Sequence, residues 1–86
     1  MAGGNGNSPI NLDIDEQTAK GIYANFAAIA HTPTEFMIDF AFVLPQQSKN
    51  KVSARIITSP SHMKNFAAAL ADNIRKYEEQ FGEIKA

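Results

Sequence analysis

The sequence has 86 residues, a formal net charge of −1 and no cysteine. This length suits one small domain, and the lack of cysteine excludes disulfides and thiolate metal sites. Because there is no basic excess, nucleic acid is not expected as a partner. No apolar run approaches the roughly 18 residues of a membrane span, and no secretory signal opens the sequence. A cytoplasmic protein with no membrane partner is therefore expected.

The chain is predicted to begin with a flexible tail over residues 1–8 and to continue as a single α+β domain over residues 9–86. The tail is small, polar and glycine-rich, so it gains too little burial to offset the entropy of ordering. Apolar and polar residues then alternate over residues 10–14, which predicts a half-buried strand. Residues 15–18 indicate a turn or the start of a short helix.

Residues 21–30 fit either a helix or a strand. Their alanines favour a helix. The next segment, residues 36–44, alternates with a clear period of two and ends at Pro45, which predicts a strand. Because residues 31–34 between them are typical of a tight turn, an antiparallel hairpin is favoured, and with it a strand for residues 21–30.

The register of this hairpin decides which side chains share a face. A loop centred on Thr32 places Phe26 opposite Ile38, and it sets most large side chains against smaller ones. The same register places Asn25 opposite Asp39. A second register, shifted by two residues, remains open.

Residues 52–58 predict a further strand, antiparallel to residues 36–44, in a register that places Arg55 beside Asp39. Together with the segment at residues 10–14, the sheet is predicted as an antiparallel β-meander of three to four strands.

One long helix is predicted at the C-terminal end. Ser59 and Pro60 are typical of the N-cap and first helical position, and Gly82 of the C-terminal stop. Spacings of three and four produce an apolar stripe of about five turns. The stripe consists of Met63, Phe66, Ala67, Leu70, Ile74, Tyr77 and Phe81. The fold class is thus α+β, with this amphipathic helix packed on one face of the meander.

Charges on this helix oppose its dipole. Lys64 lies near the start, and Glu78 and Glu79 lie near the end. Each such charge costs roughly a few tenths of a kcal/mol when exposed.

The second face of the predicted sheet is also apolar. Its residues are Tyr23, Ala27, Ile29, Met37, Ala41, Val43 and Ile57. A contiguous apolar patch usually marks an interface, so a homodimer packed sheet to sheet or edge to edge is expected.

Four residues form the candidate interface or ligand site: Tyr23, Asn25, Asp39 and Arg55. Asp39 and Arg55 could act as an acid and an anion clamp, but a cross-strand ion pair is the favoured interpretation.

The other candidate groups do not indicate a catalytic or metal site. His31 with Glu35 suggests proton transfer, yet a histidine in a turn near a carboxylate is usually an ordinary surface residue. His62 lacks a second ligand at the spacing of a helical metal site, and Ser59 and Ser61 are explained by capping. No catalytic residue, metal ligand or cofactor is expected.

Several short segments together resemble a known family. They are residues 21–26, 31–36, 39–40 and 54–56 with Pro45, Ser59-Pro60, Ile74, Tyr77-Glu78 and Phe81-Gly82. Over roughly residues 10–85 the chain resembles the small prokaryotic domain-of-unknown-function family 3467, with residues 1–8 outside the match. The resemblance implies a small free-standing bacterial or archaeal protein and supplies no activity.

The leading hypothesis is a homodimeric protein-interaction or accessory module rather than an enzyme, with an unknown protein partner. The alternative is a small-molecule-binding protein with its polar site around Asn25, Asp39 and Arg55. A weak nucleic-acid binder ranks last, because Lys49 and Lys51 alone make a thin basic patch.

Overall fold

The computed structural model describes residues 10–86. Three strands form one antiparallel sheet in the order β1-β2-β3, and a long C-terminal helix follows. The elements in chain order are α1 (Glu16–Ala19), β1 (Phe26–His31), β2 (Phe36–Ala41), β3 (Val52–Thr58) and α2 (Pro60–Phe81). The predicted α+β class is therefore confirmed.

The described chain divides into two compact units. The first contains the described residues up to Ile29 together with Ile38–Ile56, and the second contains Ala30–Met37 and Ile57–Ala86. The tail predicted at residues 1–8 lies outside the described residues, and the single domain over residues 9–86 stays a prediction.

The strand predicted at residues 10–14 is wrong. This segment has no strand structure, and the side chains of Leu12 and Ile14 are well exposed. The chain leaves the extended conformation at once, because the Asp15 carboxylate accepts a hydrogen bond from the Thr18 N–H (3.3 Å) and caps α1. Of the two predictions for residues 15–18, a turn or the start of a short helix, the structure has the helix. The three strands of the sheet are the lower number of the predicted three to four.

The strand prediction for residues 21–30 is confirmed in part, since β1 covers Phe26–His31. Its turn is set by Thr32. The Thr32 N–H donates to the Glu35 carbonyl (2.9 Å), and the Thr32 hydroxyl accepts from the N–H groups of Thr34 and Glu35 (3.3 and 3.1 Å). A threonine hydroxyl used in this way stabilises a tight turn, so the loop narrows to Pro33 and Thr34.

This turn changes the hairpin register. The rings of His31 and Phe36 lie 5.5 Å apart between centroids, which places the two side chains on the same face. Neither predicted register does so, and at the turn both are wrong by an odd number of residues. Because side chains alternate along a strand, the β1 side chains next to the turn change faces relative to the prediction. Just before β1, the Asn25 N–H donates to the Ala41 carbonyl, which is the pairing of the second predicted register.

The bounds of α2 match the prediction. The Ser59 hydroxyl accepts from the His62 N–H (3.2 Å), and Pro60 opens the helix. At the other end, Gly82 adopts a φ of +99°, which favours glycine, and its N–H donates to the Glu78 carbonyl (2.9 Å). Capping residues at both ends therefore define the helix locally.

Very little of the described chain is buried. The only buried hydrophobic residues among residues 10–86 are Ile38 and Ala41, both on β2. They are three residues apart on one strand and therefore lie on opposite faces of the sheet, so each face has one buried residue. The packing of the helix on one face of the meander is not confirmed, because α2 has no buried residue and Leu70 at mid-stripe is 49% exposed.

Candidate functional site

The middle of the sheet carries a two-pronged ion pair. Arg55 on β3 donates from Nε to Asp39 Oδ1 (2.7 Å) and from Nη2 to Asp39 Oδ2 (2.8 Å). The Asp39 side chain on β2 is 20% exposed and that of Arg55 is 56% exposed. This geometry confirms that Asp39 and Arg55 are cross-strand neighbours, which agrees with the predicted β2–β3 register.

The ion pair has a clear electrostatic signature. The hydrogen bond from Arg55 lowers the pKa of the Asp39 carboxyl, against a smaller opposing effect of burial. The same hydrogen bond raises the pKa of the Arg55 guanidinium. Asp39 is therefore a charged, already engaged carboxylate at neutral pH, which makes it a poor proton acceptor. The pair is better suited to fixing register than to acid–base chemistry.

The pair predicts a pH dependence of stability. Because the folded pKa of Asp39 lies below its unfolded value, the pair stabilises the fold fully above the ordinary aspartate pKa of about 4. This stabilisation is lost as the pH falls through the lowered folded pKa. We expect Asp39→Asn to be less stable than wild type at pH 7, with a difference that shrinks below about pH 4. Urea unfolding across this range measures it.

Asp13→Asn is the matched control, since Asp13 makes no ion pair within residues 10–86. An offset between wild type and Asp39→Asn that stays constant from pH 7 to pH 2 would contradict the assignment.

Asn25 forms a second polar cluster with Val43, here called the amide clamp. The Asn25 Oδ1 accepts from the Val43 N–H (2.8 Å), and the Asn25 Nδ2 donates to the Val43 carbonyl (3.1 Å). The Asn25 N–H also donates to the Ala41 carbonyl (3.1 Å). A carboxamide has one donor and one acceptor side, like a peptide group. It therefore extends the sheet bonding just before β1 begins.

The amide clamp shows that the predicted opposition of Asn25 and Asp39 is wrong. Asn25 bonds to Ala41 and Val43, and Ala41 lies two residues from Asp39, or about 7 Å along a strand. The prediction considered only alternating side-chain faces, whereas the carboxamide bonds to backbone.

Tyr23 contacts Phe42, the residue that precedes Val43 of the amide clamp. Its ring meets the ring of Phe42 edge to face, with centroids 5.7 Å apart and planes at 84°. This is a favourable aromatic geometry. The four predicted site residues thus form two clusters rather than one: Tyr23 and Asn25 contact Phe42 and Val43, while Asp39 binds Arg55.

Sequence reasoning missed the two backbone partners of asparagine side chains. Besides Val43, the Leu44 N–H donates to Asn50 Oδ1 (3.1 Å). Both asparagines are found just outside a strand, where local side-chain bonds to backbone are common. That position is the only signal in the sequence that could have indicated them.

The structure also shows what His31 and Ser59 contact. His31 packs against Phe36, and Ser59 caps α2 as predicted. Within residues 10–86, no group of three or more histidine, aspartate or glutamate side chains is arranged to hold a metal ion. None of the helices described there is long and apolar enough to cross a membrane.

The cavities in the first unit include three that are not lined by any of the four predicted site residues. One, of about 770 Å³, is lined by Phe42, Leu44, Gln47, Ser48, Lys49, Asn50, Lys51 and Ser53. Another, of about 330 Å³, is lined by Ile22, Ala24, Phe40 and Ala54. The third, of about 360 Å³, is lined by Gln17, Thr18, Gly21 and Ile22.

A three-stranded antiparallel meander followed by one long helix, with polar groups engaged in bonds to the chain itself, defines a small α+β protein without recognisable catalytic groups among its described residues. The chain belongs to the family described as protein of unknown function (DUF3467), whose model matches residues 1–86, the whole chain. This confirms the resemblance, and the expectation that residues 1–8 lie outside the match is wrong. Searches of curated proteins and of solved structures found no match.

Proposed function

We propose that the protein is a homodimeric interaction module of the cytoplasm, an accessory protein that needs a second copy to complete its core and binds another protein. The observation that carries this proposal is the near absence of a core. Only Ile38 and Ala41 are buried hydrophobic residues among residues 10–86.

The importance of this observation follows from a comparison of the entropic cost of folding with the free energy of apolar burial. Folded domains are stable by about 5–15 kcal/mol, after an entropic cost of roughly 1–2 kcal/mol per residue for the backbone. Full burial of one large apolar side chain contributes about 1.5–3 kcal/mol. One buried isoleucine, one buried alanine and partly covered side chains such as Phe66, which is 41% exposed, offset only part of that cost. The described chain therefore requires a partner surface.

A second copy is the simplest such surface. Large apolar side chains are exposed on the strands and on the long helix alike, among them Phe26 (55%) and Ile56 (51%). Every copy of the chain presents the same surface, so an isologous two-fold dimer covers it symmetrically.

The test is the concentration dependence of unfolding. For a dimer that unfolds to separate chains, stability rises with protein concentration by mass action. A tenfold increase contributes about 1.4 kcal/mol. With a urea m-value of about 1–3 kcal/mol/M, the midpoint should rise by roughly 0.5–1.4 M. A midpoint independent of concentration would overturn the proposal.

The partner-binding half of the proposal has its own test. Apolar patches that remain exposed bind a hydrophobic dye such as ANS, and such patches mark interaction sites. We expect dye binding to persist at concentrations where the homodimer is fully formed. If the fully formed dimer bound no dye, the partner-binding half of the proposal would be overturned and the homodimer would stand.

No observation favours the two alternatives. The carboxamide of Asn25 and the carboxylate of Asp39 are engaged by Val43 and Arg55, so a ligand would have to displace bonds within the chain. A small-molecule site therefore stays a prediction, and so does weak nucleic-acid binding.

A further inference from the structure

We propose that the two copies join through their α2 helices, packed antiparallel along the apolar stripe. This inference rests on the proposed homodimer and specifies its surface. A helix of this length is about 33 Å long, and α2 spans Pro60–Phe81 without a buried residue.

The stripe has the spacing of a coiled-coil seam. Met63, Leu70 and Tyr77 repeat every seven residues, and a second set follows each of them by four residues. That second set is Ala67, Ile74 and Phe81. Alternating steps of four and three are the signature of helices that pack side by side with interlocking side chains. We call these six positions the seam.

Side-chain size favours the antiparallel direction. In an antiparallel pair centred near residue 72, Ala67 meets Tyr77 of the second copy and Leu70 meets Ile74. The large ring of Tyr77 then faces a small residue, which is how close-packed cores fill space, and Met63 meets Phe81 at either end of the seam. In a parallel pair Ala67 would meet Ala67 and Tyr77 would meet Tyr77, leaving a gap at one level and crowding at another.

Charge favours the same direction. Lys64 and Glu78 each follow a seam residue by one position, so both lie on the same flank of the seam. A two-fold axis perpendicular to antiparallel helices brings like flanks together, and Lys64 then approaches Glu78 of the second copy. In a parallel pair that flank would face Phe66, Asn73 and Gln80, which carry no charge.

The charges that oppose the helix dipole gain a physical role in this arrangement. Helix α2 has no acidic residue in its first turn and no basic residue in its last turn. Antiparallel packing sets the start of one helix beside the end of the other, so Lys64 lies near a carboxyl-terminal dipole end. Lys64 makes no ion pair within residues 10–86, and Glu78 binds the Ile84 N–H through one oxygen only (Oε2, 3.0 Å).

The experiment uses thiol cross-linking, because the full chain contains no cysteine. Ala67→Cys and Tyr77→Cys chains are prepared separately, unfolded together, refolded and treated with a short bismaleimide. The arrangement predicts cross-links that join one variant to the other. Each variant alone should give at least about tenfold less cross-linked dimer, since identical positions lie ten residues apart along the seam, or about 15 Å.

A charge exchange provides a second readout. Lys64→Glu should raise the dimer dissociation constant by roughly tenfold, because two interchain pairs become repulsive. Adding Glu78→Lys to the same chain should restore it to within about threefold. Lys76→Glu is the matched control, since Lys76 lies away from the seam and pairs with Asp72 of its own helix (3.1 Å).

The outcomes separate the two proposals. Cross-links within each variant alone, or no cross-links in a sample that remains dimeric, would overturn the antiparallel seam and leave the homodimer standing. A sample that is monomeric at all concentrations would overturn both.

Discussion

Replacing Leu70 with glutamate is expected to separate the dimer into single chains. Leu70 is at the middle of the seam and is 49% exposed in the single chain. Each dimer would lose two buried leucines and would bury two carboxylates without partners. A combined loss of about 4 kcal/mol corresponds to a roughly thousandfold rise in the dissociation constant. Sedimentation at micromolar concentration measures it.

Ala68→Glu is the matched control for this substitution. Ala68 stands two residues from Leu70, which places it on the opposite side of the helix. The control introduces the same charge and a good helix former, so we expect its dissociation constant to remain within about threefold of wild type. A Leu70→Glu protein that dimerises as tightly as Ala68→Glu would show that the stripe is not part of the interface.

Asn25→Asp is expected to destabilise the fold, although the two side chains have nearly the same shape. The introduced carboxylate keeps the bond from the Val43 N–H, loses the donor to the Val43 carbonyl and turns a negative oxygen toward that carbonyl. Because Asn25 is exposed, the loss corresponds to the net contribution of one hydrogen bond, about 0.5–1.5 kcal/mol. We expect a loss of that size in urea unfolding at pH 7.

The penalty should also depend on pH in a defined direction. Below about pH 4 the introduced carboxyl is protonated and can donate to Val43 again, so the loss should shrink. Asn11→Asp is the control, since the Asn11 carboxamide makes no hydrogen bond to another side chain within residues 10–86. Equal stability of the Asn25 and Asn11 variants at pH 7 would contradict the amide clamp.

Sequence reasoning worked where the determinants are local. The helix was predicted at its observed bounds because Ser59, Pro60 and Gly82 each act within one turn of their own position. The strand at Val52–Thr58 and the approach of Arg55 to Asp39 also followed from the sequence. Opposite charges on neighbouring strands favour the register that brings them together.

Sequence reasoning failed where side chains bind backbone. The hydroxyl of Thr32 tightens the hairpin turn, and this shifts the end of β1 next to the turn by an odd number of residues. The carboxamide of Asn25 likewise bonds to Val43 instead of facing Asp39. Periodicity describes faces and carries no information about such bonds, so the predicted four-residue site separated into two clusters.

The pattern of residues 10–14 failed for a related reason. Alternation of apolar and polar residues predicts a strand only where a neighbouring strand supplies ladder bonds and a face to cover. Asp15 caps α1 immediately after this segment, so the chain turns away from a continuous strand. Burial was likewise overestimated, because an apolar stripe specifies what a helix face can bury without specifying which surface covers it.

The solution mass of the full chain tests the central claim most directly. Size-exclusion chromatography with light scattering, run over a hundredfold range of concentration, should give twice the mass of one chain, which is 9.4 kDa. The doubled mass is expected at the higher concentrations, with part of the exposed apolar surface covered by self-association. A mass of one chain throughout, from a protein that still unfolds cooperatively, would contradict it.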